Sequence, residues 1–419
     1  MKELLKRYRT HLGDSLFGIF GLLLMNLVAQ LLLFPLYAKR FGSVGYGELQ
    51  YLMGYVNILT VTMGTAACLT RMTASAADRW QNGGAFNLFL TLFALLGLPL
   101  TYLVRCFAGV SMNGATYCCY YLLFVAMLFR YYADVAYKIT LNYRRYFAYY
   151  AVVGAGYAVG AFLMWQTGIW PLGLLVGEAA GVLFAYCTEK TLRQGGLRLT
   201  PAWRRTLSAL LVLFLTEGAS NLILNADRLL LGIFESPSAV TAYYLATIAG
   251  KTMSLLTVPL AGVLIGYLAR YEGGLSVQIT RRLFLGAIGA VVAFSLLCTG
   301  GGALAIYLLY PAEFHTVWRY LPIGSLAEVL YFITGILTVV VLRFGKRLYQ
   351  VIINGSFAVA FFALGIPATI AFGIGGFAVA VALANLLRFV LAILLTRCSA
   401  RYTVIATKTA EGIPLEENV

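Results

Sequence analysis

The feature that most limits what this chain can become is a series of long, unbroken apolar runs that fills almost its whole length. They fall near residues 16–38, 49–70, 85–105, 116–138, 147–166 and 170–188, and again near 207–233, 239–268, 283–306, 320–342, 349–370 and 374–396. Each has about the length that a helix needs to cross the hydrocarbon layer, roughly 20 residues. A β-barrel would instead show short alternating strands. Only 11% of the residues are charged and the mean hydropathy is +0.83, against about 25% charged in an ordinary soluble domain. The sequence therefore predicts an all-α polytopic membrane protein with about 12 transmembrane helices. The first run is too long for the apolar stretch of a signal peptide and reads as an uncleaved span.

A formal charge of +15 invites a nucleic-acid reading, but Lys and Arg are clustered between the apolar runs. With a cytoplasmic N-terminus, 23 of them fall on the inside, four lie outside (Lys39, Arg40, Arg105, Arg319), and four lie within spans (Arg130, Arg228, Lys251, Arg388). That is the positive-inside distribution. It places both termini in the cytoplasm and the protein in the plasma membrane, with the bilayer and not a nucleic acid as its partner. The basic loop 189–206 divides a lobe at 1–188 from a second at 207–398, with a cytoplasmic tail at 399–419. Six spans per half is an even number, so the two lobes are parallel repeats about an axis along the membrane normal. The turn with Gly42 and Tyr46 after the first span is echoed by Gly232 and Tyr243 after the seventh.

No loop is large enough to fold a separate catalytic domain, so no enzyme activity is expected. Seven cysteines form no Cys-x-x-Cys pair and the histidines are His11 and His315 alone, which argues against zinc or thiol redox chemistry. A bridge from Cys106 to Cys118 or Cys119 across one external loop stays open.

Two hairpins resemble a known family. The stretch Pro35-Leu-Tyr-Ala-Lys-Arg40-Phe-Gly42-Ser-Val-Gly45-Tyr46-Gly47 is similar to the first external turn of polysaccharide, or lipid-linked oligosaccharide, repeat-unit flippases. Asn225-Ala-Asp227-Arg228-Leu-Leu-Leu-Gly232, with Ala242-Tyr243-Tyr244-Leu-Ala246, resembles the exit of their seventh span. The family motif thus falls on Arg40, Gly42, Tyr46, Asp227 and Arg228. This resemblance implies the multidrug/oligosaccharidyl-lipid/polysaccharide exporter superfamily and its two six-helix lobes around a cavity. It further implies alternating-access transport of a polyprenyl-pyrophosphate-linked glycan for surface polysaccharide, beside other membrane proteins of polysaccharide assembly. The alternatives are an ion-coupled drug or cation antiporter of the same fold and a membrane glycosyltransferase. The major facilitator signature fits poorly, because Asp78-Arg79 is followed by Trp80-Gln81-Asn82.

Ionisable residues inside spans are costly and tend to face cavities. Arg130, Lys251 and Arg388 are the candidate headgroup contacts, since a pyrophosphate stripped of water needs cationic partners. Each also has a structural reading. Arg130, Asp134 and Lys138 stand at i, i+4 and i+8 on one face, where they can neutralise each other. Arg388 can snorkel to the cytoplasmic surface, and Lys251 can pair with Glu217. Asp227 and Arg228 also fit a helix interface.

Glu217, Glu178, Glu328 and Asp134 are candidate sites for a coupling proton or sodium ion; no other cofactor is expected. Asn26 and Gln30 are candidate polar groups of the cavity. The tyrosine-rich stretch from Tyr120 to Tyr150 reads mainly as an aromatic belt at span ends, with sugar contact as the alternative. Pro35, Pro99, Pro259 and Pro367 are candidate kink positions.

Overall fold

Continuous helical hydrogen bonding is the only way most of this backbone can be satisfied in hydrocarbon, and the structure uses it throughout. The computed structural model describes residues 20–74, 83–193, 196–199, 201, 203–254, 256–257, 260–261, 264–265, 268 and 275–410. Among them all regular structure is helical. Asp78, Arg79, Pro259 and His11 lie outside the described residues.

We number the helices α1 (Phe20–Thr73), α2 (Gly83–Ala108), α3 (Gly114–Thr140), α4 (Tyr143–Thr167), α5 (Leu172–Thr188), α6 (Lys190–Arg193) and α7 (Trp203–Phe234). They are followed by α8 (Pro237–Ser254), α9 (Val277–Leu309), α10 (Phe314–Trp318), α11 (Leu321–Phe344) and α12 (Arg347–Ala410). Eight of the described helices are long and apolar enough to cross a membrane. Two of them, α1 and the stretch Leu348–Cys398 of α12, have 54 and 51 residues. At 1.5 Å per residue each is well over twice as long as the hydrocarbon layer is thick, so each holds two spans. With α5 (17 residues) and α8 (18 residues), the about twelve spans expected from the sequence are accounted for. The remainder of the span expected at 239–268 falls only partly within the described residues.

The breaks inside the two long helices sit at glycines. Gly42 has φ 70° and ψ −177°, and Gly373 has φ 62° and ψ −146°. That left-handed extended conformation is open essentially to glycine alone. Gly42 thus owes its place in the motif to backbone geometry. Pro99 and Pro367 are carried inside their helices, whereas Pro35 follows a π-helical turn, Ala29–Leu33. That turn relieves the clash of the proline ring with the preceding turn. The echo at Gly232 also differs: Gly232 is helical, and the chain turns at Glu235–Ser236, where the Ser236 hydroxyl caps the Ala239 amide at 3.2 Å.

The chain divides into two compact units, 1–233 and 234–419, so α7 belongs with the first. In unit 1, α4 and α5 pack against each other along most of their length. Gly156-x-x-x-Gly160 on α4 meets Gly173-x-x-x-Gly177 on α5. A methyl group at Gly160 would strike the carbonyl oxygens of Leu172 and Gly173. In a membrane, where apolar burial alone does not drive helices together, such close backbone approach is what holds a pair. Gly160→Val is therefore expected to overpack this seam and destabilise unit 1 by about 1–3 kcal/mol, read as a lower thermal unfolding midpoint in detergent; an unchanged midpoint would contradict the seam.

In unit 2, α11 packs along α12 over a core that includes Val329, Leu330, Ile333, Leu337, Ile353 and Phe389. Large apolar side chains such as Leu95, Phe107, Leu183, Leu296, Val359 and Phe372 stay exposed, as expected of surfaces that face lipid. All seven cysteines are free, so Cys106 is bridged to neither Cys118 nor Cys119.

Candidate functional site

Unit 1 holds a polar core in which two cations are paired with two carboxylates. Arg130 and Asp134 sit one turn apart on α3, and the small residues of the α4–α5 seam let their partners come close. Arg130 forms an ion pair through its Nε with Glu178 of α5; the two side chains are 4% and 3% exposed. Its guanidinium carbon also lies 3.9 Å from the centre of the Tyr131 ring. Tyr157 of α4 donates to the other oxygen of Glu178, and Tyr149 donates to the Arg130 carbonyl at 3.0 Å.

Asp134 accepts from Lys138 at 3.1 Å, from Tyr146 at 2.8 Å and from Tyr150 at 3.4 Å. The i, i+4 pairing of Asp134 with Lys138 is thus present, while Arg130 reaches across to another helix. Tyr132, Tyr137, Tyr146, Tyr149, Tyr150 and Tyr157 are all buried. These six sit in the core rather than in an interfacial belt, and Tyr146, Tyr150 and Tyr157 donate to the two buried carboxylates, which need more donors than two cations supply.

Of the motif residues in unit 1, Tyr46 and Asp227 are buried and Arg228 is half-buried, whereas Arg40 and Gly42 are exposed. Arg40 is exposed beside the Gly42 break, its guanidinium carbon 5.9 Å from the Trp165 ring. Tyr46 is fully buried, with its ring centre 6.2 Å from that of Phe34. On α7, Asp227 is buried and Arg228 half-buried. The α7 face that carries them packs on the second arm of α1: a methyl at Gly54 would meet Leu229 and Arg228 within 3.5 Å, and one at Gly232 would strike the Tyr51 ring. Asn221 adds a hydrogen bond to Thr62 at 3.3 Å. Glu217, four residues before it, is half-buried. Asn26 is half-buried and bonds back to the Leu22 carbonyl at 2.9 Å, and Gln30, one turn on, is half-buried too.

Sequence reasoning misses Arg71 and Asn87. Arg71, in the last turn of α1, is 1% exposed. It donates to the Tyr132 hydroxyl at 2.7 Å and to the Thr191 carbonyl at 2.9 Å. Asn87, near the start of α2, donates to the carbonyls of Leu192 at 3.2 Å and Gly196 at 3.3 Å. By composition Arg71 is one more basic residue of an inside loop; its only distinguishing signal is its place inside the apolar helix rather than beyond it.

Unit 2 is built differently. Arg388, on the second arm of α12, is 7% exposed and has turned inward rather than snorkelled. One nitrogen, Nη2, donates to Asn354 Oδ1 at 3.0 Å. The guanidinium carbon lies 4.5 Å from the Tyr331 ring centre of α11 and 5.2 Å from that of Phe357 on the first arm of α12. Among the described residues, Nε and Nη1 are buried without a well-aligned hydrogen bond, the Tyr331 hydroxyl lies within hydrogen-bonding reach of the guanidinium, and no carboxylate pairs with Arg388. Two aromatic faces and one amide offset only part of the cost of a buried cation.

Lys251 of α8 is half-buried with its Nζ 5.5 Å from the Tyr244 ring centre. Glu328 of α11 is half-buried, and its side-chain stem packs against Gly250, the residue before Lys251. The structure thus pairs Arg130 with Glu178 and sets Asp134, with Lys138 and two tyrosines, one turn away in unit 1. In unit 2, Lys251 and Glu328 lie where α8 meets α11, and Arg388 sits in a separate aromatic setting.

No protein-family model matches the chain, and no curated protein matches it by sequence. Solved structures do match over nearly the full length. One is the lipid II flippase MurJ in an inward closed conformation, at TM-score 0.68 and 14% identity, covering 97% of this chain and 93% of that one. Another is an inward-facing multidrug resistance MATE family transporter of the MOP superfamily, at TM-score 0.66 and 11% identity, covering 92% and 96%. A third is the eukaryotic MATE transporter AtDTX14, at TM-score 0.62 and 12% identity, covering 96% and 99%. The chain is an all-α, multi-pass membrane protein with the two-lobe fold that these MurJ and MATE structures share.

Proposed function

We propose that the protein is a flippase that moves a polyprenyl-pyrophosphate-linked oligosaccharide across the membrane by alternating access between its two lobes. The observation that supports this most is Arg388. A guanidinium kept inside a membrane domain with only uncharged partners among the described residues is costly unless an anion reaches it during function. A pyrophosphate headgroup fits that need, because its oxygens accept the paired N–H groups of a guanidinium fork. Lys251, held at an aromatic ring on α8, is the second headgroup cation, and Arg130 is the third where the Glu178 pair opens. Glu217, half-buried on α7, is the leading site for a coupling proton or sodium ion, with Glu328 next.

The likeness to MATE transporters favours a second reading, an ion-coupled exporter of cationic compounds. Such a cargo calls for buried carboxylates free to meet it. Asp134 and Glu178 are already engaged by Lys138, Arg130 and three tyrosines, which favours the anionic cargo.

The test is equilibrium binding of a short-chain isoprenyl pyrophosphate to the purified full-length protein. Wild type is expected to bind it, and Arg388→Met to weaken binding by about 10- to 100-fold, the worth of charged hydrogen bonds. Equal binding by both proteins, or binding of a cationic dye in place of the pyrophosphate, would overturn the reading.

A further inference from the structure

The linker between α5 and α7 carries a second kind of site, independent of the cargo. Its backbone is held down on unit 1 at several points. Arg71 at the end of α1 bonds the Thr191 carbonyl, and Asn87 at the start of α2 bonds those of Leu192 and Gly196. Leu192 is fully buried. The linker's one acid, Glu189, pairs with Arg145 at the start of α4, at 3.3 Å. These anchors are the ends of spanning helices, so the strap lies at the border between hydrocarbon and water. The positive-inside count assigns that border to the cytoplasmic leaflet.

What the strap leaves exposed is uniform in character. Lys190, Arg193, Arg198, Arg204 and Arg205 are all exposed, and no acid between 189 and 205 remains to balance them. Among them Leu197 and Leu199 stand 59% and 56% exposed. Trp203 lies next in the chain, with the Arg204 guanidinium carbon 5.5 Å from its ring centre. A soluble surface gains nothing from two bare leucines between arginines. A membrane surface does: the leucines and the tryptophan enter the headgroup layer while the cations meet lipid phosphates.

We propose that the described part of this linker is an interfacial strap that binds anionic phospholipid headgroups, with Lys190, Arg193, Arg198, Arg204 and Arg205 as the charged contacts and Leu197 and Leu199 as the apolar ones. Charge complementarity selects the partner, since zwitterionic lipid offers the same phosphates without a net negative field.

The experiment uses the full-length protein in mixed micelles of phosphatidylcholine and phosphatidylglycerol, with retained lipid counted by native mass spectrometry. Wild type is expected to retain phosphatidylglycerol in preference to phosphatidylcholine. Each strap cation strengthens that by about fivefold, so Arg193→Gln with Arg198→Gln lowers it by about 25-fold. The control pair Arg281→Gln with Arg282→Gln, exposed at the start of α9, is expected to leave it unchanged. Full retention by the strap variant, or an equal loss in the control, would overturn the proposal. Should the strap variant fail to fold, wild type decides: a preference that survives high ionic strength contradicts a site made of exposed charges.

Discussion

Glu178→Ala is expected to lower the stability of unit 1 by about 3–5 kcal/mol. The reason lies in what the substitution leaves behind. Arg130, 4% exposed on its side chain, would keep its charge and lose the carboxylate that matches it, and Tyr157 would lose its acceptor. The pair as a whole contributes far less, because both ions were taken out of water to form it. The double variant Arg130→Met with Glu178→Leu should therefore recover most of the loss. Unfolding titrations of the two single variants and the double variant in detergent check this. A loss below about 1 kcal/mol in Glu178→Ala would contradict a buried, mutually dependent pair.

Arg388→Met is expected to move stability the other way. Here no carboxylate is orphaned by the change, and methionine fills the space between Tyr331 and Phe357 without a charge to desolvate. Replacing buried charge by well-packed apolar groups is neutral or stabilising, by up to about 1–4 kcal/mol. The same variant should lose transport. Gain or retention of stability together with loss of function distinguishes a residue kept for an anionic cargo from one kept for the fold. A protein destabilised by this change, with its remaining folded fraction transporting normally, would place Arg388 among the structural residues.

The contrast between these two arginines shows where sequence reasoning runs out. Both are visible as cations inside apolar runs, and both runs are legible as spans, since about 20 apolar residues can hardly do anything else in a bilayer. The spacing of Arg130, Asp134 and Lys138 predicts contacts along one helix, and Asp134 with Lys138 is there. The pairing of Arg130 with Glu178 joins two helices, and helical periodicity carries no information about which helices adjoin. The same holds for Arg71, whose partners lie on α3 and in the linker.

Local signals are more legible than remote ones. Gly42 stands out by its motif, and a positive φ explains it. Asp227 and Arg228 fit an interface or a cavity by sequence; in the structure Asp227 is buried and Arg228 packs beside Gly54 of α1. The small-residue pattern of α4 and α5 is present in the sequence as Gly-x-x-x-Gly and is the signal that finds their contact. The tyrosines mislead because an aromatic near a span end fits a lipid interface or a buried hydroxyl equally well. The buried acids, Asp134 and Glu178, are what draw them inward.

The central claim is that this fold moves an anionic, lipid-linked glycan past an interior arginine. Its most direct test is the leaflet accessibility of a polyprenyl-pyrophosphate oligosaccharide in proteoliposomes, comparing wild type with Arg388→Met and Lys251→Ala. Wild type is expected to make the glycolipid of the sealed leaflet accessible, Arg388→Met, though folded, to leave it inaccessible, and Lys251→Ala to act more slowly. Wild type that leaves the glycolipid in place, while an imposed proton or sodium gradient drives out a cationic dye, would contradict the claim.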